Sequence, residues 1–153
     1  MFKLLRCAIR LSGRIYQFTL NRLTFFSLSL YKTRKMKDLA PQIFRKRLLI
    51  EGFFTTEVSE NTLIDFFRFI TQNLQLRTYG EPIIHSTGGL GKEENQGYDA
   101  FVPLIDSGIY IAVWSGYKFL SMIIYTCAEF DEQIALSKTQ SFFEMTAIEH
   151  SLF

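Results

Sequence analysis

The sequence predicts an α+β fold, a two-layer sandwich in which a mainly antiparallel sheet carries two helices on one face. Segments with the period-2 alternation of strands outnumber the two segments with helical spacing. The links between neighbouring strand segments are short, as antiparallel pairs allow. The chain has 153 residues, of which 48% are hydrophobic and 16% aromatic, so one domain with a substantial core is expected.

The N-terminal segment differs from the rest in charge. Residues 1–35, which we call the leader, carry eight Lys or Arg and no acid. Such a composition is typical of a transit peptide or of a helix on a membrane surface. The alternative is a true start at Met36, where the composition changes abruptly, with the leader as an over-extended reading frame. Under either interpretation we expect the leader to lie outside the packed fold.

Residues 36–153, which we call the body, are predicted to form the folded domain. They hold nine basic residues against fifteen acids, a net charge of −6. This charge argues against nucleic acid as a partner, because binding to phosphates requires cations. Nothing in the body predicts membrane association.

Cysteine and histidine are sparse in the body. Cys127 is the body's one cysteine, so no internal disulfide can form, and a reducing compartment such as the cytoplasm is the simplest expectation. A lone cysteine can be a small buried hydrophobe or a reactive group. The body's histidines, His85 and His150, have only Glu149 beside them in the sequence and fall short of a zinc site. No metal is expected.

The first half of the body predicts a strand and a helix. A short helical turn is expected within residues 38–46, with Pro41 near its start, and a strand over 47–55. Ser59 is a suitable N-cap for a helix that ends near Gln75. One face of that helix is apolar and should pack in the core; its residues are Leu63, Phe66, Phe67, Ile70 and Leu74.

A second strand is predicted over residues 77–85, where Pro82 indicates an edge or a bend. The segment that follows, STGGLGKEENQG, is loop-like. It lacks the phosphate-binding spacing, since Ser86 stands where that motif needs Gly and Glu93 stands where it needs Ser or Thr. The loop either covers a functional site or is a plain surface connection.

The second half of the body predicts a hairpin, a helix and a last strand. A strand over 98–105 leads into the hairpin, whose first strand alternates apolar residues (Ile109, Ile111, Val113) with Tyr110, Ala112 and Trp114. A turn over Ser115–Lys118 and a second strand over 119–127 follow. Facing residue numbers then sum to roughly 233 or 234, which places Ser107 beside Thr126 or Cys127.

After the hairpin, Asp131 is a good N-cap for a helix over 132–143. Its sheet-facing residues are predicted to be Ile134, Ala135, Phe142 and Phe143. A short last strand is expected within 147–153. Because two helices cover only one face of an aromatic-rich sheet, an apolar face remains exposed, and a homodimer is expected.

The stretch from Asp106 to Cys127 resembles the small prokaryotic S-adenosylmethionine decarboxylases, whose pattern reads roughly E-S-H-x-x-x-H-x-W-P-E followed by T-C. Asp106-Ser107, Trp114 and Thr126-Cys127 match it without a gap. A weaker resemblance extends over about residues 47–143. It implies self-cleavage before Ser107, which becomes a pyruvoyl cofactor, with Cys127 as a proton donor. The implied activity is decarboxylation of S-adenosylmethionine or a related amino acid in polyamine (spermidine) synthesis, by a dimer.

The chain departs from that pattern at four places. The family's two histidines fall on Gly108 and Ala112, its Pro-Glu on Ser115-Gly116, and an upstream Ser on Asp99. Self-cleavage requires removal of an α-proton, which is the work of a positioned base. Asp99 is the candidate substitute, because a buried carboxyl group can have a raised pKa.

Ligand contacts are expected from Asp106, Trp114, Tyr125 and Glu51. Trp114 and Tyr125 could stack on an adenine ring, or they could pack within the hairpin. Two functions therefore stay open. The chain is a pyruvoyl-dependent decarboxylase if it cuts itself, and otherwise a non-processing relative that binds a small ligand or a protein partner.

Overall fold

The computed structural model describes residues 6–11, 14–19 and 37–153, and the chain divides into two compact units, Met1–Leu39 and Ala40–Phe153. In the first unit, β1 (Arg6–Leu11) pairs antiparallel with β2 (Arg14–Thr19). The described part of the leader is therefore a strand pair, not the surface helix considered from its composition. The rest of the leader lies outside the described residues, and the expectation that the leader is not part of the packed fold stays a prediction.

The second unit is a six-stranded antiparallel sheet with two helices, which confirms the predicted α+β fold. Its elements are β3 (Lys46–Phe53), α1 (Glu60–Asn73), β4 (Ile83–Ser86), β5 (Gly97–Leu104), β6 (Ser107–Trp114), β7 (Phe119–Thr126), α2 (Glu132–Phe143) and β8 (Ala147–Leu152). The strand order is β4-β5-β6-β7-β3-β8. No helix in the described residues is long and apolar enough to cross a membrane.

Both helices begin where their N-cap residues predict. The Ser59 hydroxyl accepts the backbone N–H of Thr62 at 3.2 Å, and the Thr62 hydroxyl accepts the N–H of Ser59 at 3.1 Å, which forms a capping box at α1. The Asp131 carboxyl group accepts two backbone N–H groups at the start of α2. These caps satisfy donors that have no partner inside the helix.

The core lies between the helices and one face of the sheet. The predicted apolar stripe of α1 is buried along its whole length. The Phe66 and Phe143 rings join the two helices, with centroids 4.6 Å apart. The strands contribute fully buried side chains to the same cluster: Leu48, Ile50, Ile109, Ile111, Leu120, Met122 and Ile124. Each such side chain contributes about 1.5–3 kcal/mol when it is buried completely.

Three local predictions differ in detail from the structure. Residues 38–46 form only a turn, in which the N–H of Ile43 bonds to the carbonyl of Ala40 at 3.0 Å. The strand expected over 77–85 is shortened to β4, because Gly80 and Pro82 interrupt it and only Thr78 makes an isolated bridge to β5. Ile134 is 37% exposed, since Ala135, Thr139 and Phe143 form the inward face of α2.

Candidate functional site

The β6–β7 hairpin brings Ser107 and Cys127 together, as the sequence predicts. Its ladder runs from Ser107 opposite Thr126 to Trp114 opposite Phe119, so facing numbers sum to 233. A 3₁₀ turn over Ser115–Tyr117 and a left-handed Lys118 close the far end. The Ser107 Oγ lies 3.9 Å from the Cys127 Sγ. A hydroxyl and an exposed thiol thus share the end of the hairpin away from its turn.

The peptide bond before Ser107 lies in a tight turn. Leu104 of β5 pairs with Ser107 of β6, which leaves only Ile105 and Asp106 between the two strands. The backbone N–H of Cys127 donates to the Asp106 carbonyl oxygen at 2.9 Å. A fixed N–H donor on a carbonyl stabilises negative charge that develops on its oxygen when a nucleophile attacks. The carbonyl adjacent to the Ser107 hydroxyl is therefore polarised by the same residue that presents the thiol.

Ser107 has an unusual backbone conformation. Its φ angle is +137°, in a region that favours glycine. A non-glycine residue held in such a region costs about 1–3 kcal/mol, and it persists only when its surroundings determine it. Pairing with both Leu104 and Thr126 provides that constraint. Strain is thus concentrated in the residue whose nitrogen forms the Asp106–Ser107 bond.

At Gly108, one of the two positions where the resemblance has histidine, the Phe101 ring fills the space that a side chain would enter. A Cβ atom built there would lie 2.3 Å from Cε2 of the Phe101 ring. An aromatic ring that covers a glycine on a neighbouring strand is a known way to stabilise a sheet. The loss of the histidine is therefore accompanied by an occupant of the volume that its side chain would need.

The structure does not bring Asp99 to Ser107. Asp99 pairs with Ala112, five residues along β6 from Ser107, which corresponds to about 16 Å. Its carboxyl group accepts a hydrogen bond from the Tyr110 hydroxyl. Partial burial, and then the hydrogen bond to Asp99 and its negative charge, raise the pKa of Tyr110 to about 12. Within one chain, the Asp99 carboxyl group is therefore hydrogen-bonded to Tyr110 on the face of the sheet that the helices do not cover.

The expected aromatic ligand contacts lie at opposite ends of the hairpin. Trp114 donates its indole N–H to Asn95 at 3.2 Å, beside the turn. Tyr125 pairs with Gly108, and the Arg47 guanidinium lies 5.2 Å from its ring centroid. The two positions are six residues apart along β6, about 20 Å, so one adenine ring cannot contact both within this chain.

The other two expected ligand contacts are also separated. Glu51 lies in the middle of the uncovered face, where its carboxyl group accepts the Ser121 hydroxyl at 2.8 Å. Asp106 lines a cavity of about 200 Å³ beside Ser107. Of the four candidate binding residues, Asp106 and Tyr125 are near Ser107 in the strand register, whereas Trp114 and Glu51 are not.

The glycine-rich loop is a well-bonded connection at the turn end of the hairpin. Its glycines at 88, 89 and 91 have positive φ angles. The Gln96 side chain accepts from the Gly89 N–H and the Thr87 hydroxyl, and it donates to the Leu90 and Lys92 carbonyls. Gly97 pairs with Trp114. Within this chain the loop therefore does not cover Ser107, and the surface-connection interpretation is the one that the geometry favours.

Sequence reasoning missed the pairs that Phe101 forms with Gly108 and that Tyr110 forms with Asp99. The alternation of residues in β5 and β6 could have indicated both pairs, but only if the length of the turn between the two strands had been known. Among the described residues, no cluster of His, Cys, Asp and Glu could hold a metal ion.

Comparison by sequence finds no family model and no curated protein that matches the chain. In structure, the chain is similar to an adenosylmethionine decarboxylase from Aquifex aeolicus, with a TM-score of 0.55 and 13% identity, over 72% of this chain and 89% of that chain. The two chains share a fold. At this identity the likeness shows the fold alone, so chemistry has to be argued from the residues around Ser107.

Proposed function

We propose that this chain is an S-adenosylmethionine decarboxylase-like protein that cuts itself at the Asp106–Ser107 bond. The pyruvoyl group so formed would serve decarboxylation of S-adenosylmethionine or a related amino acid in polyamine (spermidine) synthesis. One observation carries the proposal: Cys127 contacts both sides of that bond. Its N–H holds the Asp106 carbonyl at 2.9 Å, and its thiol lies 3.9 Å from the Ser107 hydroxyl.

The first step exchanges an amide for an ester. The Ser107 Oγ attacks the Asp106 carbonyl carbon, a C–O bond forms, and the C–N bond breaks. The hydroxyl proton passes to the departing nitrogen of Ser107. The Cys127 N–H stabilises the oxyanion, a contribution that is typically worth about 10²–10³-fold in rate. Breaking the C–N bond also removes the strain at the φ angle of +137°.

The second step removes the Ser107 α-proton and breaks its Cβ–Oγ bond, so that Asp106 leaves as a carboxylate. Residue 107 is then a dehydroalanine, which tautomerises to an imine. Water hydrolyses the imine, ammonia leaves, and a pyruvoyl group remains at the new N-terminus. When present, that group supplies an electron sink for loss of CO₂ from an amino acid. Cys127 would return a proton to the product carbon.

The weak point is the base for the second step. A positioned base contributes about 10²–10⁴-fold, but Ala112 and Gly108 offer none. Asp99 is about 16 Å away along the strand within one chain. We therefore expect slow processing, with the ester as the species that accumulates.

A second candidate is a non-processing relative that binds a small ligand or a protein partner with its chain intact. The Phe101 ring over Gly108 favours it, because the ring occupies the space that a histidine side chain at that position would enter. In that case the Ser107–Cys127 pair is a remnant of the site and the body serves as a binding domain.

Mass spectrometry of the purified, denatured chain distinguishes the two candidates. Self-cleavage gives Met1–Asp106 and a C-terminal fragment that is lighter by one ammonia than a fragment starting with Ser107. Hydroxylamine, which cleaves esters, should split any ester that has accumulated at the same position, giving residues 1–106 as a hydroxamate and a C-terminal fragment that still starts with an intact Ser107. Ser107→Ala should abolish both results, whereas Cys127→Ala and the control Ser115→Ala in the turn should still be cut. An intact chain that resists hydroxylamine but binds S-adenosylmethionine would support the second candidate instead.

We also propose that the body forms a homodimer through the uncovered face of the sheet. That face exposes aromatic side chains, among them Phe53, Phe101, Tyr110 and Tyr125, each 38–51% exposed. Exposed apolar surface of this kind marks interfaces. Light scattering should give twice the monomer mass, and Tyr125→Glu together with Phe101→Glu should shift the protein to a monomer. A wild-type protein that remains monomeric at high concentration would contradict the dimer.

A further inference from the structure

The cavity beside Ser107 is formed by the two strand neighbours of that residue and by the segment after α1. Leu104 and Thr126, which flank Ser107 in the sheet, line the cavity together with Asp106. Gln75 and Arg77, from the segment after α1, line it as well. Gln75 has a positive φ of 56°, which ends α1 and turns the chain towards the hairpin. Ser107 itself does not line the cavity, but Asp106 and both strand neighbours of Ser107 do, so the cavity lies next to the peptide bond at which cleavage is proposed.

Arg77 differs from the other cations of residues 40–153. Seven of these eight Lys and Arg residues have an interaction partner: Arg45, Lys46, Arg47, Arg68, Lys92, Lys118 and Lys138. With the residues that the structure describes, the Arg77 side chain makes no ion pair, side-chain hydrogen bond or ring contact, although Asp106 lines the same cavity. Its backbone is fixed by the Ile105 N–H, which donates to the Arg77 carbonyl at 2.9 Å. A guanidinium with five free donors is thus anchored at the cavity wall.

We propose that this cavity binds the zwitterionic end of an α-amino acid, with Arg77 holding the carboxylate and Asp106 the ammonium group. An arginine fork matches a carboxylate with two parallel hydrogen bonds. The carboxyl group of Asp106, which lines the same cavity, is the natural acceptor for an ammonium group. Because the body carries a net negative charge, a carboxylate needs an unpaired cation to bind in the cavity. The inference rests on the proposed function for its chemistry and names the part of the substrate that the site recognises.

The size of the cavity fits this assignment. Pockets that enclose a drug-sized ligand measure about 300–1,000 Å³, whereas this one has about 200 Å³. It has space for the amino-acid end of a ligand but not for an attached nucleoside. The rest of a larger ligand would lie outside it. Arg77 is accordingly assigned as a substrate-positioning residue, not as a group that takes part in bond breaking.

Binding to an uncut chain tests the proposal separately from self-cleavage. The Ser107→Ala full-length chain would be titrated by calorimetry with S-adenosylmethionine and L-methionine, and with their carboxylate-free amines, decarboxylated S-adenosylmethionine and 3-(methylthio)propylamine. We expect each amine to bind at least about 10-fold more weakly than its parent. Arg77→Gln should remove this difference in affinity, because it should weaken the binding of only those probes that carry a carboxylate. Arg77→Lys should restore part of it, because the charge remains without the fork.

Arg68→Gln is the matched control, because Arg68 is also exposed but pairs with Asp65 at 3.0 Å on the surface of α1. It should leave all four affinities unchanged, and the melting temperatures of the variants should agree. Equal affinities for acid and amine, an Arg77→Gln variant that still discriminates, or no binding of any probe at millimolar concentration would each overturn the assignment. If the wild-type chain never cuts itself, but Arg77→Gln abolishes the difference in affinity between acids and amines, the decarboxylase function is refuted and the assignment of the cavity is kept.

Discussion

The two ends of the β6–β7 hairpin are built in opposite ways. At the turn end, Gln96 satisfies four polar groups of the glycine-rich loop, and Trp114 bonds to Asn95. At the other end, Ser107 has a φ of +137°, and Arg77 lines a cavity without a partner for its side chain. The polar groups at the turn end are satisfied, although Lys118 there is left-handed, whereas the Ser107 end combines a strained residue with free hydrogen-bonding capacity.

This difference is the reason for placing the proposed ligand site at the Ser107 end. Strained residues persist where neighbouring structure holds them, and they cluster at functional sites. The glycine-rich loop looked like the functional element because of its composition, yet its glycines serve turns that Gln96 closes. The Ser107 end looked like an ordinary strand end. The two ends of the hairpin differ in their unused hydrogen-bonding capacity, and glycine content did not predict which end has it.

The largest effect is expected at the turn end. Gln96→Ala removes four hydrogen bonds at once, and at about 0.5–1.5 kcal/mol each, reduced by exposure, we expect it to lower the free energy of unfolding by about 2 kcal/mol. Urea denaturation measures this, and hydrogen exchange should become faster at Gly89 and Gly97. The control is Gln140→Ala on the exposed surface of α2, which should change stability by less than about 0.5 kcal/mol. Equal losses in the two variants would show that the loop is not held by Gln96.

A smaller effect of opposite sign is expected at the Ser107 end. Ser107→Gly relieves a strain of about 1–3 kcal/mol, but glycine loses about 0.5–1 kcal/mol through its greater freedom in the unfolded chain. We expect a net stabilisation of about 1 kcal/mol in urea denaturation. Ser107→Ala is the control, because it removes the same hydroxyl but keeps the backbone strain. It should therefore not stabilise the folded protein. If the glycine and alanine variants shift stability equally, the backbone at Ser107 is not strained.

Much of the fold was predictable because it depends on short-range patterns. The Ser59 and Asp131 caps, the stripe from Leu63 to Leu74 and the alternation in β6 each use local chemistry, and the hairpin register followed from the turn over Ser115–Lys118. The Ser107–Cys127 approach could therefore be predicted to within a few ångströms, and the contact measures 3.9 Å.

The parts of the site that were missed depend on pairings between distant segments. Asp99 as a base was inferred from its position before Ser107, whereas the β5–β6 ladder places it opposite Ala112 and beside Tyr110. Arg77 reaches the site only because Gln75 turns the chain after α1. Neither geometry follows from spacing in the sequence, since each requires the pairing of strands and the path of a loop.

The smallest expected effect concerns the hydrogen bond that the Tyr110 hydroxyl donates to Asp99. This bond holds the Asp99 carboxyl group away from Ser107. Burial, the hydrogen bond to Asp99 and the charge of Asp99 raise the pKa of Tyr110 to about 12, from 10 in the unfolded chain. Below pH 10 the phenol is protonated in both states, so its contribution to stability is fully present. Between pH 10 and 12 the unfolded chain loses the proton and the folded chain keeps it, so stability falls as the pH rises.

Because the Tyr110 side chain is 40% exposed, screening by solvent keeps this loss small, and the titration itself is the better measurement. The phenolate absorbance of the wild type minus that of Tyr110→Phe should rise with a midpoint near pH 12. Asp99→Asn should lower the midpoint without returning it to 10, because burial, the largest cause, remains. A midpoint that Asp99→Asn does not move would show that the carboxyl group is not held by Tyr110. Asp99 would then be free to act elsewhere, and the contrast between the two ends of the hairpin would be weaker than their hydrogen bonds indicate.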